Sequence, residues 1–309
     1  MALNTEHQLT SIVEHGEHKL LRPIINDSRI VLSRLKRAYG ELKSCNGYGL
    51  FIPLIGDKVY HTDEEKFSLA PGQFLLLDHH QNCILDHHTQ TEALAINIRV
   101  HQSFIEQALY TYRNSTETLL DNPYDNQTYE GQFYQGVFRL DDNQLGRYLA
   151  DVVSKLDVYS DELWVNETEL FHQAATSILL LQQQITDCTS RVPAKKTTTQ
   201  KELFRRLNRA KMMIDDNLSS AMNITTLSKE SSLSESHFLR SYKSMFGMSP
   251  YQYLLQRKVE AAAVCLQNSK ESLTNIAFQL GFADLSSFSK SFKKVKGVSP
   301  AAFRKMVSC

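Results

Sequence analysis

Residues 224–253 read ITTLSKESSLSESHFLRSYKSMFGMSPYQY, residues 273–303 read LTNIAFQLGFADLSSFSKSFKKVKGVSPAAF, and the second stretch repeats the first. Phe238, Arg240, Tyr242 and Lys243 return as Phe288, Lys290, Phe292 and Lys293. Gly247, Ser249, Pro250 and Tyr253 return as Gly297, Ser299, Pro300 and Phe303, again 50 positions on. Upstream, Leu227 and Ser228 return as Ile276 and Ala277 at an offset of 49, so the second copy has one extra residue in its turn. A slip of one residue between two helices marks a duplicated helix-turn-helix rather than a stacked array, which needs a longer series of repeats.

Each copy reads as two short helices around a tight turn. In the second, Ile276 and Ala277 face inward, Gly281 supplies the residue able to take positive φ, and Phe282 plugs the core. Asp284 caps a helix whose apolar stripe is Phe288 and Phe292 at i, i+4 spacing. Its outward face carries Ser286, Ser287, Lys290, Lys293 and Lys294. In the first copy Ser234 is the cap, Phe238 and Tyr242 are the stripe, and Glu235, Ser236, Leu239, Arg240 and Lys243 point outward. Short hydroxyls at the front and cations along the flank suit a helix that enters a major groove, its first turn at base edges and the rest at phosphates. A single basic amphipathic helix is equally well a solvated face. Two copies with cations at matched positions favour the DNA reading.

Charge is divided in the same sense. From Lys195 to Cys309 there are 19 Lys and Arg against 8 Asp and Glu, a net of +11, while residues 1–194 hold 15 against 26, a net of −11. The formal neutrality of the chain conceals a basic third, the electrostatic footprint expected of a DNA binder.

The run from Ser234 to Lys305 resembles the DNA-binding domain of the AraC/XylS transcription regulators, through Gly281-Phe282, Asp284, Ser286, Phe288, Lys290, Phe292-Lys293-Lys294, Gly297, Ser299-Pro300 and Phe303-Arg304 in order and spacing. The resemblance implies a helix from about Pro250 to Gln267 joining the two units, and recognition helices in successive major grooves. It places Arg240 and Lys290 at base- or phosphate-contacting positions and Glu235, Ser236, Leu239, Ser286 and Ser287 at base-facing ones. It further implies a cytoplasmic homodimer acting on promoter DNA with RNA polymerase, as an activator. Two positions depart from the family pattern: Ser232 stands where a turn glycine is usual, and Leu239 where a polar residue is common. The first unit is accordingly expected to be less rigid and to read bases less strictly.

The whole chain has 309 residues, enough for two domains with separate cores. The first 25 residues lack an apolar run of signal-peptide length, and no window approaches a membrane span. Five cysteines, 45, 83, 188, 265 and 309, show no metal-type spacing and fit reduced thiols. Residues 1–25 read as a loosely ordered polar arm. Short strands then follow: RIVLSRLKRAYG from Arg29, YGLFIPLIG, KVYHT, KFSLAPG, FLLLD, CILDHH and ALAINIRV, separated by turn residues as in an antiparallel barrel or sandwich. CNGYGLFIPLIG followed by LAPGQFLLL is similar to the cupin-like sensory domain that precedes many AraC-type DNA-binding domains, over roughly residues 30–110.

A cupin-like barrel raises the question of metal catalysis. Asp78-His79-His80 and Asp86-His87-His88 could bring four imidazoles and two carboxylates together on a hairpin, a set that zinc or iron accepts. Adjacent histidines on a strand point to opposite faces, however, and the His-x-His pattern of catalytic cupins is absent. The expectation is neither metal, cofactor nor enzyme activity.

Beyond the strands the periodicity is helical. SFIEQALYTY starts one helix, and a polar loop follows from Asn114 to Gln135. Leu145, Tyr148, Leu149, Val152, Val153 and Leu156 form one stripe; Leu170, Phe171, Ala174, Ala175, Ile178, Leu179 and Ile185 form another. These pack on their own barrel or, in part, on a partner subunit. Residues 187–200 are too polar to hold a core and read as a linker. The expected architecture is therefore multi-domain α+β: a cupin-like antiparallel barrel with flanking helices over 1–186, a linker, and an all-α double helix-turn-helix domain over 201–309. Three functions fit it: a regulator sensing a small molecule, a regulator without one, and a cupin metalloprotein fused to a DNA-binding domain. For a ligand, Tyr48, Phe51, Tyr60, Phe67 and Phe74 are candidates to line an apolar cavity, and Arg29, Arg34 and Lys36 to neutralise an anion.

Overall fold

The computed structural model describes residues 15–20, 27–42, 47–63, 65–78, 81, 83–87, 93–114, 116–121, 132–157, 162–163, 166–192, 197–220 and 222–307. They divide into two compact units, Met1–Asp187 and Cys188–Cys309.

In the first unit β1 (His15–Leu20), β2 (Arg29–Leu42), β3 (Gly47–Ile55), β4 (Lys58–His61), β5 (Lys66–Leu69), β6 (Gln73–Leu77), β7 (Cys83–His87), β8 (Ala93–His101) and β9 (Gly136–Arg139) form one sheet. All its pairings are antiparallel. β1 arises inside the stretch expected to be an arm, paired to β2. The hydrogen-bonded path runs β5, β4, β7, β2, β8, β3, β6, β9. β2 turns this sheet: its first half pairs with β8, from Arg29 opposite Arg99 to Leu35 opposite Ala93, and its second half with β7, from Ala38 opposite His87 to Leu42 opposite Cys83.

The expected barrel is not closed. Among the described residues β5 lies beside β6 and β9 without a ladder between them. β5 and β9 have four residues each, too few rungs to take up the stagger that closure demands. Phe51, Tyr60, Phe67, Leu69, Leu75, Leu77, Cys83 and Leu85 fill the space between the curled ends.

α1 (Gln102–Arg113), α2 (Thr116–Asp121), α3 (Gln144–Ser154), the short pair β10 (Leu156–Asp157) and β11 (Glu162–Leu163), and α4 (Glu167–Ser190) complete the unit's elements. α2 falls within the stretch read as a loop. Leu145, Leu149 and Val152 of α3 and Leu170, Phe171, Ala174, Ala175 and Ile178 of α4 are buried. Phe104 packs on Phe171 at 5.5 Å, and the Gln182 amide clamps Tyr134 through both its backbone groups at 2.7 and 3.0 Å. Leu179, by contrast, lines an open groove of about 270 Å³ between α1 and α4, beside Leu180 and Tyr112, the last 60% exposed.

The second unit holds α5 (Thr197–Asp216), α6 (Ile224–Glu230), α7 (Glu235–Phe246), α8 (Pro250–Asn268), α9 (Leu273–Gln279), α10 (Leu285–Lys296) and α11 (Pro300–Val307). The stretch 187–200, read as a linker, is helical at both ends: α4 runs on to Ser190, and α5 starts at Thr197.

Candidate nucleic-acid interface

The repeat builds two like corners. α6 and α7 make the first, α9 and α10 the second, and each helix begins on a side-chain cap: Asn223, Ser234, Ser272 and Asp284 accept from the backbone N–H three residues on. α7 and α10 both end on a left-handed glycine, Gly247 at φ 76° and Gly297 at φ 78°. The turns match bond for bond. Leu233 N–H donates to Ser228 O at 2.9 Å, and Phe282 N–H to Ala277 O at 2.9 Å.

The left-handed turn residues are Ser232 at φ 52° and Gly281 at φ 67°. Gly281 is needed twice over, because a Cβ there would stand 2.1 Å from Ser219 O. Ser232 is exposed and holds the same backbone region with a side chain.

Each turn carbonyl is also held by a cation from a neighbouring helix. Arg206 of α5 donates to Ser232 O at 3.4 Å, and Lys258 of α8 donates to Gly281 O at 3.0 Å. Lys258 lies over the Phe282 ring at 5.4 Å, and desolvation pulls its pKa below the ordinary lysine value. This clamp escaped the sequence reading; the signal was Arg206 and Lys258 at similar places in the helix ahead of each corner.

Phe238 and Tyr242, and Phe288 and Phe292, are fully buried as expected. In the second corner the aromatic line continues from Phe282 through Phe288 and Phe292 to Phe303 at 5.2–5.8 Å spacings. α5 is bound to α8 beneath the first corner: buried Asp215 accepts from Arg257 Nε at 2.9 Å and from Tyr253 OH at 2.7 Å, and Arg257 also pairs with Glu260.

Anchoring these stripes inward turns the other face out. On α7, Ser236, Arg240 and Lys243 are exposed and Leu239 is half-buried; on α10, Ser286, Lys290, Lys293 and Lys294 are exposed and Ser287 is half-buried. Glu235 is exposed but tethered, accepting from Thr225 Oγ1 at 2.5 Å. Arg240 Nε donates to Ser236 O at 3.2 Å, and Ser287 is engaged by the Asp284 cap at 2.6 and 2.9 Å. The Ser287 N–H holds the Asp284 carboxyl below the usual carboxylate range, with Lys290 adding to the effect. A fixed carboxylate thus stands at the front of α10 and Lys290, Lys293, Lys294 and Lys296 behind it, while α7 carries Arg240 and Lys243.

Of the aromatic ligand candidates of the first unit, three share one cluster and two pack on other rings. Phe51 and Tyr60 meet at 4.9 Å and share a core cluster with Phe67; Tyr48 packs on Phe133 at 4.7 Å, and Phe74 on Phe138 at 5.6 Å. Arg29 and Arg34 are half-buried, and the Lys36 side chain lies outside the described residues. His79, His80, His88 and the His87 side chain lie outside them too, while Asp86 pairs with His61 at 3.1 Å.

Residues 227–306 match the family described as a helix-turn-helix domain. The chain is similar to the Msm operon regulatory protein of Streptococcus mutans, 31% identical over 101 residues that cover 33% of this chain and 36% of that protein. It is also similar to the MmsAB operon regulatory protein of Pseudomonas aeruginosa, 34% identical over 92 residues and 30% of each chain. A solved structure, the C-terminal domain of AraT, a response regulator from Geobacillus stearothermophilus, is 26% identical with a TM-score of 0.32, over 33% of this chain and 84% of that one. The chain thus spans about a third of the length of the curated relatives it matches. Residues 227–306 form a helix-turn-helix DNA-binding domain of the AraC/XylS type.

Proposed function

We propose that the chain is a sequence-specific transcription regulator that lays α7 and α10 into successive major grooves of promoter DNA and senses a small molecule through its first unit. The observation that carries this reading is the pair of matched corners, each turning an aromatic stripe inward and Arg240 with Lys243, or Lys290 with Lys293 and Lys294, outward. In the proposed complex Ser236, Leu239, Ser286 and the first turn of each helix face base edges, and the lysines along the flank hold phosphates. Glu235 and Ser287, already hydrogen-bonded within the protein, act at the rim of the reading surface. The open groove between α1 and α4, with Tyr112 at its edge, is the proposed dimer contact. Activation through RNA polymerase and a cytoplasmic location belong to the same proposal; no helix among the described residues is long and apolar enough to cross a membrane.

The test is the salt dependence of binding to a selected site. Neutralising about five to eight phosphates gives a slope of log K against log salt of roughly −4 to −7. A slope near zero removes the DNA-binding reading.

A further inference from the structure

On α7, the residues on either side of Leu239 have settled places. Phe238 is fully buried in the aromatic stripe, and Arg240 is exposed and bonded back through Nε to Ser236 O at 3.2 Å. Leu239 is half-buried on the shoulder between them, three positions after exposed Ser236, whose hydroxymethyl is too short to screen it. The fold does not require an apolar side chain there. The matched position of α10 is Ser289, also half-buried, and that corner closes on the same turn bond and the same kind of buried aromatic pair. Serine thus completes one corner where the other carries leucine.

Base edges in the major groove present hydrogen-bond donors and acceptors, with one apolar group among them, the C5 methyl of thymine. Against guanine, adenine or unmodified cytosine, a leucine strips water from polar atoms without replacing their hydrogen bonds. Against a C5 methyl it takes apolar surface on both partners out of water. 5-Methylcytosine carries the same methyl at the same ring position.

We propose that Leu239 reads the C5 methyl of a pyrimidine, so that the first corner prefers thymine or 5-methylcytosine at one base pair of its half-site. The inference rests on the seating of α7 in a major groove proposed above and gives that contact a base identity. In place of the looser reading expected of the first unit, it sets a preference made by a methyl group rather than by hydrogen bonds. Binding then responds to cytosine methylation, because a C·G pair at that position gains the contact once its cytosine is methylated. Ser289 gives α10 no such contact at the matched place.

The experiment uses the full chain and a duplex that it selects from random sequence. Each thymine in turn is replaced by deoxyuridine, which differs only in lacking the methyl. One replacement should weaken binding roughly fourfold, the worth of one methyl group removed from water. At that position a 5-methylcytosine·guanine pair should outbind a cytosine·guanine pair by a similar factor. Leu239→Ala should erase both differences, and Leu239→Met, still apolar, should keep them. Each comparison is a ratio of two DNAs on one protein, so any loss of folded protein cancels. Methyl reading by Leu239 is overturned if no thymine is told from uracil, if every such difference survives Leu239→Ala, or if the methylated and unmethylated cytosine pairs bind alike. Those outcomes leave the DNA-binding reading standing, because the selected duplex is still preferred to random DNA. A chain that prefers no duplex to random sequence overturns both.

Discussion

Both corners must pass one residue through the left-handed region, and the chain does this with serine in one and glycine in the other. The left-handed region costs a residue with a Cβ about 1–2 kcal/mol, so Ser232→Gly should stabilise the second unit by roughly 0.5–1 kcal/mol once glycine's greater unfolded-state entropy is offset. Gly281→Ala adds a clash with Ser219 O to the same strain and should destabilise by on the order of 2–4 kcal/mol. Urea unfolding of the two variants measures both effects. A destabilised Ser232→Gly would mean that the hydroxyl, not the backbone, matters there. DNA contacts divide at this scale too. Lys290→Ala and Arg240→Ala should each weaken a selected site by roughly 1–3 kcal/mol and relax the preference at one base pair, whereas Lys293→Ala should weaken selected and random DNA alike. Gel shifts on both DNAs distinguish these outcomes, and equal losses for all three would leave none of them reading bases.

At the scale of elements, the second unit depends on α5 being bound to α8. Asp215→Asn should cost roughly 2–4 kcal/mol, less than the loss of an isolated buried pair because Glu260 still faces Arg257. Replacing Asp215 and Arg257 together by Leu and Met should recover much of that loss, as read by the same unfolding transition. The sequence announced the helices around this network but not the network. Caps such as Ser234 and Asp284, the turn glycine and the aromatic stripes are written within a few residues of one another, so the two corners were legible. Arg206, Arg257 and Lys258 look like surface cations on amphipathic helices until the packing of α5 and α8 puts them against the turns and Asp215. In the first unit most strands were legible from alternation and turn residues. The open seam was not, because closure depends on pairing between β5 and β9, some seventy residues apart in the chain. The burial of Lys58 was hidden for a related reason: a lysine beside the Gly56-Asp57 turn reads as solvated, and only the curl of the sheet buries it.

For the whole molecule, the proposed function gives the second unit two recognition helices, which would span adjacent grooves, about 34 Å apart along one face of B-DNA, without a partner. Residues 188–309 alone should bind an asymmetric site specifically, and the full chain should bind two copies of that site more tightly than one, since the proposed dimer would raise the effective concentration of the second domain. Gel shifts of the fragment and the full chain on one-copy and two-copy DNA check this. No gain from the second copy would exclude a dimer that grips both.

The position of the boundary between the units has a practical corollary. Division falls between Asp187 and Cys188, inside α4 rather than in the polar stretch after it. The few residues beyond that point belong to the DNA-binding unit: Val192 is buried, and Arg191 O accepts from Ser244 Oγ of α7 at 2.8 Å. A hybrid regulator spliced at the polar stretch would therefore leave α7 leaning on a foreign segment. A splice at Asp187, keeping the helical phase of α4, would carry the support along with the helix it supports.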